Sequence, residues 1–110
     1  MMKKMEKLSK IKEFYDVIEN EEKVVIYWYT KWCPDCFVIK PFLPKLERDF
    51  PAFKFYSINR DLDIDLARHY EIYGIPSFTV FKDANEVGRL VNKRRKSYKE
   101  VKTFLDSVTK

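Results

Sequence analysis

Hydrophobic and polar residues follow two distinct patterns along the first third of the chain. Near the N-terminus, four apolar residues recur at helical spacing: Ile11, Phe14, Tyr15 and Ile18. This spacing predicts a helix from about Ser9 to Glu21 with one buried face, and the segment Met5 to Leu8 allows a short edge strand before it. The run Val24 to Tyr29 is continuously apolar, β-branched and aromatic, which predicts a central strand covered on both faces.

The middle of the chain continues with a helical pattern that two prolines interrupt. The pattern runs from Cys33 to about Asp49, but Pro41 and Pro44 each remove a backbone donor and clash with the preceding turn. We therefore expect a kinked or interrupted helix. Apolar residues next predict a strand from Phe53 to Asn59, and the segment Leu62 to Tyr73 has the spacing of a short helix.

The last third has the pattern of a β-hairpin followed by a helix. Ser77 to Phe81 resembles a strand, Asp83 to Asn85 a turn, and Glu86 to about Asn92 a returning strand. Ser97 and Glu100 form a capping box before a final amphipathic helix. This order of elements predicts an α/β fold: a parallel βαβ half and an antiparallel hairpin share a mixed sheet of four to five strands, with helices on both faces.

Length and composition favour a single domain that spans residues 1–110. The chain is 45% apolar, which is enough for one core. No segment reaches the roughly 20 apolar residues that cross a bilayer, and the segment Met1 to Lys7 has basic residues without the apolar stretch of a signal peptide. We therefore expect a cytoplasmic protein with no membrane association.

The net charge of +5 favours acidic partners in general. Basic and acidic residues are interspersed along most of the chain, and the one dense basic run is Lys93 to Lys96. Such a run can bind nucleic acid or an acidic protein surface, but most often it is a solvated loop. No nucleic-acid-binding motif accompanies it, so we expect no nucleic-acid partner.

The two cysteines of the chain lie in the segment Trp32 to Cys36. A C-x-x-C between a strand and a helix is typical of a dithiol redox centre, and a cycling dithiol suits a reducing compartment. Unpaired N–H groups and the dipole at a helix N-terminus stabilise a thiolate. We expect Cys33, the outermost, to attack a substrate disulfide, and Cys36, shielded one turn inside the helix, to resolve the mixed disulfide. Pro34 suits the first helical position, where the backbone N–H has no partner.

Three residues allow more than one interpretation. Asp35 is favourable at a helix N-terminus but opposes a thiolate a few ångströms away, so the sequence does not give the sign of its net effect. Trp32 either offers a flat apolar surface beside the sulfur to an extended peptide or packs in the core. His69 could join the two cysteines at zinc only across a dimer. A surface position for His69 is the simpler interpretation, and we expect no metal and no cofactor.

These features together resemble the thioredoxin family over nearly the whole chain. The resemblance rests on Trp32-Cys33-Pro34-Asp35-Cys36, Pro41, Ile75-Pro76 and Phe81-Lys82. The active-site motif is similar to that of the thioredoxin-related 14-kDa subgroup. The resemblance implies the thioredoxin fold, a cis peptide bond before Pro76 that places this proline against the active-site disulfide, and backbone hydrogen bonds from Ile75 to a substrate strand. The residues expected to contact substrate are Trp32, Pro34, Asp35, Ile75 and Pro76.

The chain departs from the family pattern in two places. Members of the family have a buried aspartate under the disulfide and a lysine that partners it, where this chain has Tyr27 and Ser57. Because a tyrosine is a poor proton acceptor at pH 7, deprotonation of Cys36 needs other help, from Asp35 or water, and we expect slow turnover on standard thioredoxin substrates. The family's glycine after the last strand is Asn92 here, and the basic run that follows borders the substrate groove in the family, where it would select acidic partners.

The leading functional interpretation is a thiol–disulfide oxidoreductase that reduces protein or small-molecule disulfides as a monomer, with a thioredoxin reductase as a candidate electron donor. The proline after the first cysteine also allows a glutaredoxin-like enzyme that uses glutathione. However, the Gly-Gly with which glutaredoxins hold glutathione is absent, since the two glycines are Gly74 and Gly88. The third alternative is a redox-inactive binding module whose cysteines are incidental.

Overall fold

A five-stranded sheet with helices on both faces makes up the computed structural model, which describes residues 6–8 and 11–109. The strands are β1 (Glu6–Lys7), β2 (Lys23–Tyr29), β3 (Lys54–Asn59), β4 (Ser77–Lys82) and β5 (Asn85–Leu90). The helices are α1 (Ile11–Asn20), α2 (Pro34–Ile39), α3 (Leu43–Asp49), α4 (Ile64–His69) and α5 (Tyr98–Val108). Short 3₁₀ turns, Lys40–Phe42 and Arg60–Leu62, precede α3 and α4.

The strand order in the sheet is β1-β3-β2-β4-β5. Strand β2 pairs in parallel with β3 and antiparallel with β4, and β5 returns antiparallel beside β4. The predicted mixed sheet, with a parallel half and a hairpin half around a central strand, is confirmed. Strand β1 lies at the edge beside β3, as expected for the segment before the first helix. Met5 and Ser9, where two of the predicted elements begin, lie outside the described residues.

Successive side chains of β2 point to opposite faces of the sheet, as in any strand. Val24, Ile26 and Trp28 belong to a buried cluster that includes residues of α1 and α4. Val25 and Tyr27 belong to a second buried cluster with residues of α2, α3 and α5. The prediction of helices on both faces is therefore confirmed, and the C-terminal end of β2, where the C-x-x-C segment begins, is fixed by apolar packing from both sides.

The helix after β2 is interrupted, as its two prolines predict. Helix α2 ends at Ile39, the 3₁₀ turn contains Pro41, and α3 begins at Leu43 with Pro44 in its first turn. A proline at the start of a helix removes no intrahelical hydrogen bond, so each proline begins a new segment here. The active-site helix is therefore only six residues long.

The segment Leu62 to Tyr73 contains less helix than its spacing predicts. Helix α4 begins at Ile64 because the Asp63 carboxylate caps it, accepting the Leu66 N–H at 3.1 Å. It ends at His69, and Glu71 adopts a left-handed backbone with φ of 55° that no helix can continue. The final helix, by contrast, starts as predicted, with the Ser97 hydroxyl accepting the Glu100 N–H at 3.1 Å. Among the described residues, none of the helices is long and apolar enough to cross a membrane.

Candidate active site

The C-x-x-C segment lies where β2 passes into α2, and Cys33 is the N-cap of that helix. Its backbone is extended, with φ of −85° and ψ of 110°, and its sulfur accepts the Cys36 N–H at 3.2 Å. Pro34 occupies the first helical turn, as expected, and is exposed. Because an N-cap acceptor faces the unpaired N–H groups of the first turn, this position favours negative charge on the Cys33 sulfur.

The expected difference in exposure between the two cysteines is not found. Cys33 is 5% exposed and Cys36 is 4% exposed, so the outer cysteine is as buried as the inner one. The cause is the capping interaction itself, since it turns the Cys33 side chain back over the first turn of α2. Both thiols are free. The two cysteines differ instead in the groups that surround them.

Three buried residues form what we term the floor of the site: Tyr27 and Thr30, which contact Cys36, and Ser57, which pairs with Tyr27 on the neighbouring strand. The Tyr27 hydroxyl donates its single proton to the backbone carbonyl oxygen of Cys36 at 3.3 Å, and it also lies close enough to the Cys36 sulfur to donate that proton to a thiolate instead. Burial and the hydrogen bond with Cys33 raise the pKa of the Cys36 thiol to about 12. Hydrogen bonds from the Thr30 backbone and from the Tyr27 hydroxyl act in the opposite direction. The hydrogen bonds of the floor therefore offset only part of the rise in the Cys36 pKa that burial causes.

Tyr27 occupies the place that a buried aspartate has in the family, and its chemistry is different. Burial raises the pKa of Tyr27, with the Cys36 charge as the next cause, so its hydroxyl keeps its proton and acts as a donor. Ser57 lies beside Tyr27 as its partner on β3. The ring of Tyr27 stacks on Tyr29, with centroids 5.5 Å apart and planes within 7°. The floor thus supplies hydrogen-bond donors and apolar packing without a carboxylate that could accept a proton.

Thr30, the residue directly after β2, is the second floor residue that lies close to Cys36. It is 1% exposed, and within the described part of the chain its hydroxyl oxygen has no hydrogen-bond partner. An unpaired buried hydroxyl costs free energy. No pattern in the sequence marks this residue, because a single threonine at the end of a strand is unremarkable.

Four residues on the solvent side of the cysteines form what we term the entrance: Trp32, Asp35, Asp61 and Arg95. Arg95, from the loop between β5 and α5, donates from Nε to Asp35 Oδ1 at 3.1 Å, across 60 positions of sequence. The Arg95 side chain is 64% exposed and that of Asp35 is 34% exposed. The guanidinium therefore offsets the Asp35 charge, whose net effect the sequence left open.

The basic run is not the uniformly solvated loop that its composition favours. Lys93 and Arg94 are exposed, Arg95 is in the ion pair with Asp35, and Lys96 is 0% exposed. The Lys96 ammonium donates to three oxygens of its own loop: the side chain of Asn92 at 2.7 Å and the backbone carbonyls of Asn92 and Arg94. Burial lowers the pKa of Lys96, while nearby carboxylates partly offset this shift. Lys96 is buried because it holds the loop together from inside.

Trp32 does not pack in the core, so that alternative is wrong. Its side chain is 63% exposed, and the indole N–H donates to Asp61 Oδ2 at 2.6 Å. Asp61 lies in the 3₁₀ turn after β3, where Asn59 accepts its backbone N–H at 3.0 Å. A hydrogen bond thus fixes an exposed aromatic ring next to Cys33, as a peptide-binding surface requires.

The peptide bond between Ile75 and Pro76 is cis, as the family resemblance implies. Ile75 is 8% exposed and belongs to the same buried cluster as both cysteines. Gly74 lies against the backbone of the loop after β5: a Cβ added there would lie 2.3 Å from the carbonyl carbon of Asn92. The basic loop therefore flanks the segment before the cis proline.

His69 lies exposed on α4 and makes an edge contact with the Tyr70 ring, at 4.9 Å between centroids. Across residues 6–8 and 11–109, no group of three or more histidine, cysteine or acidic side chains could hold a metal ion. His69 occupies the surface position expected for it.

Sequence reasoning missed Asp61, and it placed Arg95 and Lys96 at the groove only as members of the basic run, without distinguishing their roles. Arg95 and Asp61 each bind a motif residue from a distant segment, 60 and 29 positions away. Such contacts leave no periodic signal. The sequence signal that could have identified Arg95 and Lys96 was the density of the basic run. Four like charges in a row repel one another, so next to a packed site some of them are expected to bind acidic or carbonyl oxygens.

Comparison with known proteins gives a consistent result. The thioredoxin family model matches residues 5–107. Mitochondrial thioredoxin-3 of Saccharomyces cerevisiae is 32% identical over 85 residues, covering 77% of this chain and 67% of that protein. Thioredoxin-1 of the same yeast is 32% identical over 79 residues, covering 72% of this chain and 77% of that protein. The crystal structure of oxidised yeast mitochondrial thioredoxin 3 matches with a TM-score of 0.80 at 28% identity, over 93% of this chain and 94% of that chain.

The matches agree with the structure in both fold and chemistry. The mixed sheet with helices on both faces is the thioredoxin fold, and the two free cysteines lie together at the start of α2. The redox-inactive binding module is not favoured, because the matched proteins are thioredoxins. This chain therefore belongs to the thioredoxin family and is a thiol–disulfide oxidoreductase.

Proposed function

We propose that the protein reduces disulfide bonds of protein or small-molecule substrates, with Cys33 as the nucleophile and Cys36 as the resolving thiol. The observation that carries this assignment is the capping geometry, in which the Cys33 sulfur accepts the Cys36 N–H at 3.2 Å. A thiolate is the reactive form, and a helix N-terminus favours it. Cys36, whose pKa is raised to about 12, stays protonated until the second step.

The two steps balance in atoms and electrons. The Cys33 thiolate attacks one sulfur of the substrate, a Cys33–substrate disulfide forms, and the other substrate sulfur leaves as a thiolate that takes up a proton. Cys36 then loses its proton and attacks Cys33, which forms the internal disulfide and releases the second substrate thiol. The protein is oxidised by two electrons and the substrate disulfide is reduced by two.

The groove for substrate is proposed to run between the entrance and the cis proline. Trp32 offers an exposed ring on one side, and Ile75 and Pro76 lie on the other, with Ile75 packed in the same cluster as the cysteines. Pro34 and Asp35 form the rim at the first turn of α2. An extended peptide beside Ile75 would pair with its backbone, as in the mode of recognition by strand addition.

Turnover is proposed to be slow on standard thioredoxin substrates, because the floor offers no proton acceptor. Tyr27 keeps its own proton, and the Asp35 carboxylate is engaged by Arg95. Water, or the substrate thiolate released in the first step, is then the remaining base for Cys36. Reduction of a protein disulfide such as insulin at the rate of yeast thioredoxin-1 would contradict this proposal.

The electron donor is proposed to be a thioredoxin reductase with NADPH, and the working form a monomer of one domain. A cycling dithiol suits a reducing compartment such as the cytoplasm. The similar yeast thioredoxin-3 is mitochondrial, so a mitochondrial location is the alternative to test. Reduction of the oxidised protein by reductase with NADPH, compared with reduction by glutathione, separates a thioredoxin-like cycle from a glutaredoxin-like one.

The roles of the two cysteines are tested with a pair of serine variants. Cys36→Ser should accumulate a covalent mixed disulfide with substrate, because the resolving thiol is missing, and mass spectrometry of the adduct identifies the substrate. Cys33→Ser should form no adduct and should lose turnover. Adducts on Cys33→Ser with none on Cys36→Ser would reverse the roles, and absence of any adduct on Cys36→Ser would reject the enzymatic mechanism.

A further inference from the structure

The loop between β5 and α5 presents Arg95 at the rim of the dithiol in a fixed orientation. Among residues 6–8 and 11–109, the guanidinium bonds only through Nε, to Asp35 at 3.1 Å. Its two terminal nitrogens carry no such bond, and the side chain is 64% exposed. A guanidinium held at Nε presents its remaining N–H groups as a planar fork, which matches a carboxylate in geometry.

The loop is built so that this fork stays in place. The buried Lys96 ammonium binds the Asn92 side chain and two loop carbonyls, which closes the loop on itself. The loop backbone also rests on Gly74, immediately before the Ile75–Pro76 wall of the groove. The backbone that carries Arg95 is therefore held in place by its own contacts, so ligand binding loses less conformational entropy there than in a free surface loop.

The local charge balance favours an anionic group. The charge of Asp35 is compensated by its bond with Arg95, while Lys93 and Arg94 add two exposed positive charges along the same loop. The other aspartate of the entrance, Asp61, lies 4.0 Å from the Arg60 guanidinium. A substrate carboxylate near Arg95 thus approaches a region of net positive charge. Attraction of this kind chiefly raises the rate of productive encounter.

Resting on the proposed function of Cys33 as nucleophile, we propose that Arg95, oriented by Asp35, is a specificity-determining residue that binds a carboxylate of the substrate close to the scissile disulfide. The preferred substrates are then disulfides with an acidic group within a few bonds of the sulfur. Asp35 acts through Arg95 as a positioning residue, and Lys96 supports the loop that carries it.

The test uses three small disulfides of similar size and different charge: 3,3′-dithiodipropionate, 2-hydroxyethyl disulfide and cystamine. The reduced protein reacts with each in a single turnover, and the second-order rate constant is measured for wild type, Arg95→Gln, Arg95→Lys and Arg94→Gln. Rates are compared as variant over wild type for each probe, which cancels the different leaving-group acidities. Arg94→Gln is the matched control, because it removes the same charge from the same loop at an exposed side chain.

We expect Arg95→Gln to lower the ratio of the 3,3′-dithiodipropionate rate to the 2-hydroxyethyl disulfide rate by about three- to fivefold. This is the size of effect that one partly exposed ion pair gives. The ratio of the cystamine rate to the rate of the neutral probe should rise in the same variant. Arg95→Lys should recover less than half of the loss, because an ammonium cannot present the fork, and Arg94→Gln should have a smaller effect. At about 0.5 M salt the difference between probes should shrink.

Two outcomes overturn the proposal. An equal change of all three rates in Arg95→Gln means that Arg95 acts on the sulfur and not on the substrate, and an equal effect of Arg94→Gln means that only bulk charge matters. Both failures are distinguishable from failure of the proposed function, because in them the wild type still reduces all three probes. A wild type that reduces none of them rejects the nucleophile assignment, and the substrate preference falls with it.

Discussion

The entrance and the floor lie on opposite sides of the dithiol, and their side chains differ in charge and in exposure to solvent. The entrance contains an exposed ion pair and an exposed tryptophan, both held by hydrogen bonds between segments distant in sequence. The floor contains Tyr27, Thr30 and Ser57, all buried, without a charged side chain among them. The cysteines themselves are almost equally exposed, so the different roles proposed for them rest on these neighbours and not on depth.

This contrast divides the control of the reaction between recognition and proton transfer. Exposed charges are screened by water and contribute little to stability, but they attract and orient a partner. Buried hydroxyls and rings act in a region of low dielectric, where they change the proton affinity of a thiol strongly. We therefore expect changes at the entrance to alter which substrate reacts, and changes at the floor to alter how fast the mixed disulfide is resolved.

The largest expected effect is the pH dependence of the resolving step. In the mixed disulfide the Cys33 thiol no longer raises the pKa of Cys36, but burial, the largest cause of the raised pKa, remains. While the thiolate is the minor form its fraction rises about tenfold per pH unit, so resolution should accelerate by up to about a hundredfold between pH 7 and pH 9. Stopped-flow reaction with Ellman's reagent follows both steps, since attack releases one thionitrobenzoate and resolution the second. The second phase should be absent in Cys36→Ser. A plateau of its rate below pH 8 would show that the floor lowers the Cys36 pKa far more than its contacts indicate.

Replacement of Lys96 by methionine should give the next largest effect, on stability. The change leaves three loop oxygens without their donor, and we expect the free energy of unfolding to fall by about 2 kcal/mol. Urea denaturation measures it. Lys93→Met, at an exposed position of the same loop, should change stability by less than about 0.5 kcal/mol. Equal effects of the two variants would mean that Lys96 does not support the loop.

Tyr27→Phe tests the hydroxyl of the floor while keeping the stacked ring. Loss of a hydrogen bond that lowers the Cys36 pKa should slow the second Ellman phase by about fivefold, equivalent to about 1 kcal/mol. The first phase should change less. Tyr29→Phe is the control, because its ring stacks on Tyr27. An equal slowing in both variants would assign the effect to packing and not to the hydroxyl.

The smallest effect should be the loss of stability in Arg95→Gln. The ion pair with Asp35 is partly exposed on both sides, so its removal should cost less than about 0.5 kcal/mol in urea denaturation. Asp35→Asn should cost as little. A loss above about 1.5 kcal/mol in either variant would mean that the entrance is part of the structural framework, and the contrast with the floor would then fail.

Much of the fold follows from local patterns in the sequence. The apolar run of β2, the Ser97 hydroxyl cap and the prolines after the active-site helix each act within a few residues, and each is found as predicted. The reciprocal bond of a capping box, from the Ser97 N–H to the Glu100 carboxylate, is not among the bonds of the described residues. The helix predicted from Leu62 is shorter because the Asp63 cap and the left-handed backbone of Glu71 decide its ends. Apolar spacing alone carries no information on such end effects.

The site was predictable to the extent that it lies in the motif. Sequence reasoning identified both cysteines and the cis proline, the latter through family resemblance alone. It treated the four basic residues as one class, because lysine and arginine are usually solvated. The structure separates them, since burial of Lys96 depends on carbonyls presented by its own folded loop and the position of Arg95 depends on Asp35, 60 residues away.

Gly74 holds the basic loop against the segment before the cis proline, because the backbone of residues 92–93 rests where its side chain would be. Any larger residue at position 74 would separate the loop from the segment before the cis proline. In the proposed groove, the position of the Ile75–Pro76 segment and the position of Arg95 are therefore coupled, and we expect a bulky substrate that displaces this segment to move the guanidinium as well.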